Sequence, residues 1–156
     1  MSRSIAIRVA VPADAAAILR IDRDSPTAAH WPEAKYSQAI EQAERLVLVA
    51  EESGELLGFL VASTATVEWE LENIAVSKSA QRQGIGCALL KALIDRAKEA
   101  SASEIRQEIR ASNSAAQRLG QSVGFVEQGR RKGYYQGPDE DALLFNYLLG
   151  ERETPR

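Results

Sequence analysis

The chain has 156 residues, 45% of them hydrophobic, which is one domain's length with enough apolar content for a core of its own. Charged residues are 26% and the formal net charge is −3, which excludes a disordered chain and argues against a general nucleic-acid binder. A single cysteine, Cys87, and a single histidine, His30, exclude an internal disulfide and any Cys-based or multi-His metal site, so no metal is expected.

No apolar run approaches the ~18 residues of a membrane span. The opening string MSRSIAIRVAVPADAA is too short and too broken for a secretory signal. The expected compartment is a reducing cytoplasm, with neither membrane nor nucleic acid as a direct partner. No repeat or linker interrupts the chain, so a single domain is expected over residues 1–156, with its core from about 5 to 148.

In chain order, Ile5, Ile7, Val9 and Val11 alternate with Ala6, Arg8 and Ala10 and predict a first strand. Pro12 opens a helical pattern carried by Ala17, Ile18 and Ile21, which Asp24-Ser25-Pro26 ends. After a loop containing His30 and Trp31, a second helix is expected from Glu33 to about Arg45. Leu46–Ala50 and Leu56 to about Thr66 read as a hairpin about Ser53-Gly54. Glu68–Val76 alternates strictly and then turns apolar, as a strand entering a core does.

A polar stretch, Ser77–Gln83, leads to Gly84-Ile85-Gly86 and a strongly amphipathic helix carrying Ala88, Leu89, Ala92, Leu93 and Ala97. Glu104–Arg110 reads as a strand with only Ile105 and Ile109 apolar. Ser112-Asn113-Ser114 offers cap residues for a helix that runs to Val123 and stops at Gly124. Strands starting at Phe125-Val126 and spanning Asp141–Tyr147 complete the order β-α-α-β-β-β-α-β-α-β-β, a mixed α/β (α+β) arrangement.

Gln81-Arg82-Gln83-Gly84-Ile85-Gly86 sits where a strand gives way to a helix. Free N–H groups at a helix start, glycines that leave room beside the backbone, and the charge of Arg82 together make a cradle for a phosphate or pyrophosphate. Cys87-Ala88 stands where a P-loop needs Lys-Ser/Thr, and Leu89 where a dinucleotide loop needs a small residue. A bare Gly-x-Gly would be no more than a glycine-rich helix start; the longer string after Asn73-Ile74-Ala75-Val76 is more specific.

That string resembles the acetyl-CoA loop of the GNAT N-acetyltransferase superfamily. Glu108-Ile109-Arg110-Ala111-Ser112-Asn113, Val123-Gly124-Phe125 and Arg130-Arg131-Lys132-Gly133-Tyr134-Tyr135 extend the resemblance, toward the branch that acetylates the N-terminal alanine of a ribosomal protein. The resemblance implies a seven-stranded, mostly antiparallel sheet flanked by four helices, with its fourth and fifth strands splayed. Acetyl-CoA would enter the gap from one side and an amine from the other. The cofactor side would comprise Ile74, Ala75, Val76, Gln81, Arg82, Gln83, Gly84, Ile85, Gly86, Cys87 and Asn113.

The same resemblance assigns Glu108 as general base and a backbone N–H at Ala75 or Val76 as the donor to the thioester oxygen. A plain charged strand face competes for Glu108, and simple helix capping for Asn113. Relatives carry an acidic tyrosine seven positions after the Asn, where this chain has Gly120; Tyr134, Tyr135 or water would have to take its place. Trp31, Glu72 and Tyr135 are candidates for the acceptor groove; Glu68, Glu70 and Glu72 share one strand face, which is either a set of ligands for a charged acceptor N-terminus or a plain solvated face, and Glu72 is also a second candidate base. Cys87 reads as a small packed residue, since direct transfer needs no acyl-enzyme. The implied activity is acetyl transfer to a protein N-terminal α-amine, with a ribosomal protein as one acceptor. Alternatives are a small-molecule amine as acceptor or a non-catalytic acyl-CoA-binding module.

Overall fold

The computed structural model describes residues 4–149. Residues 1–3 and 150–156, which the single-domain expectation includes, lie outside the described residues. The elements are β1 (Ala6–Val9), α1 (Ala15–Asp24), α2 (Glu33–Glu41), β2 (Arg45–Glu52), β3 (Glu55–Ser63), β4 (Glu68–Val76), α3 (Ile85–Glu99), β5 (Glu104–Arg110), α4 (Ser114–Val123), β6 (Val126–Tyr135) and β7 (Glu140–Leu148). Short 3₁₀ turns at Pro12–Asp14 and Lys78–Ala80 lead into α1 and toward α3. No helix among the described residues is long and apolar enough to cross a membrane.

The strands form one seven-stranded sheet in the order β1-β2-β3-β4-β5-β7-β6. Every pair is antiparallel except β4 with β5, which is parallel. That pairing runs only from Glu68↔Glu104 to Leu71↔Gln107. Beyond it β4 continues along β3 as far as Val76↔Gly58, and β5 continues along β7 as far as Arg110↔Ala142. The two strands therefore part after Gln107, and the expected splay is present.

Two apolar layers cover the sheet. Leu89, Leu90, Leu93 and Ile94 of α3 pack with Leu71, Ile105 and Ile109, and Leu119 of α4 joins them. On the opposite face Ile18 and Ile21 of α1 and Tyr36 and Ala39 of α2 pack against Val47, Val49, Phe59, Val61 and Ala75. Burial of these side chains drives the docking, at roughly 1.5–3 kcal/mol for each fully buried large residue.

Two departures from the sequence expectation bear on the site. The second helix stops at Glu41, because Gln42 is extended (φ −83°, ψ 137°), and Arg45 opens β2 instead of closing the helix. Glu72 is an extra residue in the β3–β4 pairing, since Leu71 faces Ala62 while Asn73 faces Val61. This β-bulge reverses the alternation. Leu71 packs under α3, yet Ala75 joins the α1–α2 layer and Asn73 bonds to Tyr36 of α2.

Candidate active site

A groove of about 1450 Å³ runs from the start of α3, through the gap between β4 and β5, to the loop joining α1 and α2. A smaller, open hollow of about 410 Å³ lies between the start of β2 and the last turn of α3, far from that helix's N-terminus. Of the residues expected on the cofactor side, Ile74, Ala75, Val76, Gln81, Arg82, Gly84, Ile85, Gly86, Cys87 and Asn113 line the large groove. Gln83 does not; its side chain turns back to donate to the Ser79 carbonyl at 3.4 Å.

Gly84 caps α3 in the left-handed conformation (φ 82°) with no side chain satisfying the first N–H groups. No atom lies within 4 Å of where its Cβ would be. The helix thus presents free donors and the positive end of its dipole to the groove, and the exposed Arg82 adds a full charge. These features fit a pyrophosphate. At Gly86 a Cβ would come within 3.0 Å of Leu119, so this glycine lets α3 and α4 approach closely. Asn113 accepts from the Ala116 N–H at 3.1 Å and so caps α4 while facing the groove. Cys87 is half-buried, its Sγ 3.4 Å from Ser122 Oγ.

Across the gap the surface is acidic. Glu72 and Glu108 both line the groove. Glu72 is clamped by Arg45, whose Nε and Nη2 donate at 2.8 and 3.2 Å. Glu108 lies 3.5 Å from Arg131. The neighbouring Glu108 carboxylate raises the pKa of the exposed Tyr134. Glu70 titrates above the ordinary carboxylate range, first because of desolvation and then because Glu108 and Glu72 are near. Desolvation also raises Tyr135, whose ring is covered by Arg110 at 4.3 Å and which lines the groove.

The α1–α2 loop is tied to β4 by a buried polar relay. Tyr36 donates to Asp22, Asn73 Nδ2 donates to the Tyr36 oxygen at 2.6 Å, and the Ala29 N–H donates to Asn73 Oδ1 at 3.1 Å. His30 lies in the left-handed region (φ 58°), its Nε2–H donating to the Ser25 carbonyl at 2.6 Å. Ala29 and His30 line the groove. Trp31 is not among the lining residues; it packs against Tyr36 (5.3 Å between ring centroids) under Lys35 and Arg45.

At the apex of the gap, Gln107 shares the α3–α4 face of β5 with Ile105 and Ile109, while Glu108 points to the other face. A Cβ on the buried Gly120 would meet Phe125 Cβ at 3.4 Å and Gln107 Oε1 at 3.8 Å. Gln107 and Asn73 carried no site assignment from the sequence. A glutamine spaced between two isoleucines of an alternating strand was the available signal for the first. For the second it was an asparagine in a strand about to enter the core.

The signature of the Acetyltransferase (GNAT) family matches residues 15–125. The chain belongs to the GNAT acetyltransferase family. It is 37% identical over 131 residues to the [Ribosomal protein bS18]-alanine N-acetyltransferase of Escherichia coli K12, covering 78% of this chain and 88% of that one. It is 33% identical over 125 residues to the N-alpha-acetyltransferase RimI of Mycobacterium tuberculosis, covering 78% and 77%. The crystal structure of the Escherichia coli ribosomal-protein-S18-alanine N-acetyltransferase superposes with a TM-score of 0.84 at 29% identity, covering 96% of this chain and 97% of that one.

This GNAT enzyme is an acetyl-CoA-dependent N-acetyltransferase. Acetyl-CoA supplies an activated acyl group on sulfur. The chain's own features are an uncapped α3 start beside Arg82 on one side of a split sheet and a set of carboxylates on the other side. The groove joins the two.

Proposed function

We propose that this enzyme acetylates the α-amine of a protein N-terminus, with the N-terminal alanine of a ribosomal protein as the foremost acceptor and the cytoplasm as its place of work. The observation that carries this reading is the continuous groove, which leads from the uncapped start of α3 to carboxylates lying beside a backbone loop. An extended N-terminal segment brings a cation and a polar main chain, and the acidic wall with the Ala29–His30 loop suits both. The identity with the bS18-alanine and N-alpha enzymes supports the same acceptor class.

Within this reading Gln81–Gly86 hold the pyrophosphate through α3's free N–H groups, and Asn113 contacts the CoA arm. The Ala75 or Val76 N–H meets the thioester oxygen. Glu108 takes the amine's proton, directly or through one water. An α-amine, with a pKa of about 7.7–8.0, is more readily neutralised than lysine at about 10.4. Tyr134 stands beside Glu108 and acts through it, and Tyr135 with the Ala29–His30 loop borders the acceptor.

The test is a mass-spectrometric screen with acetyl-CoA and peptides of varied first residue, each with an internal lysine. Acetylation confined to the α-amine, fastest with N-terminal alanine, is expected. Acetylation of lysine or of small amines alone would overturn the acceptor assignment.

A further inference from the structure

We propose that the carboxamide of Gln107 is the group that hydrogen-bonds the sulfur of acetyl-CoA as it departs, a role the side chain at position 120 is unable to fill. The inference rests on acetyl-CoA occupying the groove described above.

Gln107 Oε1 is the one buried side-chain oxygen or nitrogen among the described residues that lacks a hydrogen-bond partner. Such an orphan calls for an explanation. The strand pattern would favour an apolar residue here, since Ile105 and Ile109 on the same face are almost fully buried. Gln107 is instead the last residue paired with β4 before the strands part, and it lines the groove. An acyl group passing from the α3–α4 face to an amine beside Glu108 must cross at this apex.

Tyr135 borders the acceptor with Arg110 over its ring at 4.3 Å, and the other neighbouring groups point to Gln107. Gly120 has no side chain, and a Cβ there would lie 3.8 Å from Gln107 Oε1, beside Phe125. The Ser122 hydroxyl is committed to the Leu119 carbonyl at 2.6 Å. Tyr134 is exposed and is not among the residues lining the groove. A half-turn about the last torsion of Gln107 exchanges its oxygen and nitrogen, so the same side chain can offer N–H.

A carboxamide does not titrate, so its part is to stabilise charge. Gln107 donates N–H to sulfur while the C–N bond forms and the C–S bond breaks, the electron pair of that bond remaining on sulfur. The amine's proton goes to the carboxylate on the acceptor face, and water later protonates the sulfur. A thiol of pKa about 8.5 is a good enough leaving group for hydrogen bonding to suffice.

The test is calorimetric binding of CoA and of desulfo-CoA, which lacks the thiol, at pH 7 and pH 9.5. The proteins are the parent, Gln107→Met, which keeps length without a donor, and Gln107→Glu. A donor at sulfur favours the thiolate, so the parent's affinity for CoA relative to desulfo-CoA should rise about tenfold between the two pH values, one unit of thiol pKa. In Gln107→Met the rise should vanish with desulfo-CoA affinity unchanged, and in Gln107→Glu it should reverse. A folded variant of either kind that keeps the parent's rise overturns the proposal, as does a parent with no rise. If the parent binds neither compound, the acetyl-CoA assignment of the groove itself fails and takes this inference with it.

Discussion

Arg45 holds both carboxylate oxygens of Glu72, from Nε at 2.8 Å and from Nη2 at 3.2 Å. The pair joins the first residue of β2 to the extra residue of the β4 bulge, at the wall of the acceptor groove. A carboxylate bound in this forked way is fixed in direction. In the proposed function Glu72 accordingly orients the acceptor rather than acting as base. Arg45→Ala should raise KM for the acceptor peptide about fivefold to tenfold, or roughly 1 kcal/mol, with acetyl-CoA affinity unchanged. Steady-state kinetics with calorimetry checks this; a fall in kcat alone would contradict the orienting role.

Glu108 is the group assigned to deprotonation, and its loss should appear in turnover. Glu108→Gln is expected to lower kcat by about 10²- to 10⁴-fold while leaving the Kd for acetyl-CoA nearly unchanged. An undiminished rate from pH 6 to 9, roughly the interval spanning α-amine titration, would move the base to Glu72 or Glu70.

Tyr36, fully buried, donates to the equally buried Asp22 and receives the Asn73 amide. Tyr36→Phe removes a donor from a buried carboxylate, which costs about 1–3 kcal/mol, more where the group is charged. It also loosens Asn73 and through it the Ala29 N–H. Urea denaturation should show the loss in stability, and kinetics a raised KM for the peptide. A KM unaffected in the folded variant would separate the relay from acceptor binding.

Glu70 gives a pH signature. Desolvation, then Glu108 and Glu72, raise its pKa in the folded protein above the unfolded value. The folded state thus binds this proton more readily than the unfolded state, so the group's contribution to stability falls as pH rises through the carboxylate range. Glu70→Gln should melt higher than the parent at pH 8. The difference should shrink as pH falls and vanish below the ordinary carboxylate pKa. Thermal melts at pH 4, 6 and 8 check the trend, and an unchanging difference would contradict it.

Gly120 lies inside α4, where its missing Cβ would make ordinary contact with Phe125 Cβ at 3.4 Å. Alanine there should improve helix propensity by up to about 1 kcal/mol. Gly120→Ala is expected to be the more stable protein in urea, and destabilisation would mean that the Gln107 amide needs all the space beside the glycine.

The sequence revealed most where alternation was long. Glu68–Val76 and Glu104–Arg110 have their expected bounds, the second with only two apolar residues, because period two is clear even in a charged strand. The overextended second helix shows the opposite case. Ala43, Glu44 and Arg45 are acceptable in a helix, and what ends α2 is the pairing of Arg45 with Ser63 and its reach to Glu72, both distant in sequence. The glycine loop was legible because anion binding at a helix start is a local property. Trp31 was not, since whether a loop tryptophan faces a groove or packs on Tyr36 depends on how α2 docks. The bulge at Glu72 was also hidden, because nothing in Leu71-Glu72-Asn73 departs from strand composition.

The alternation of β5 has a consequence for how the protein can change. Gln107 and Glu108 are joined by one peptide bond yet serve opposite sides of the sheet, and the strand's register is held along β7 from Glu104↔Leu148 to Arg110↔Ala142. A slip of one residue would turn every side chain over. Glu108 would enter the apolar layer and Gln107 would leave it, while Ile105 and Ile109, now 0% and 3% exposed, would face solvent. A single inserted or deleted residue not taken up by a bulge, as Glu72 is in β4, would thus disturb both sides of the groove together and unseat the core. Seven residues from Glu104 to Arg110 set the length of β5, and point substitutions that keep its alternation leave both faces in place.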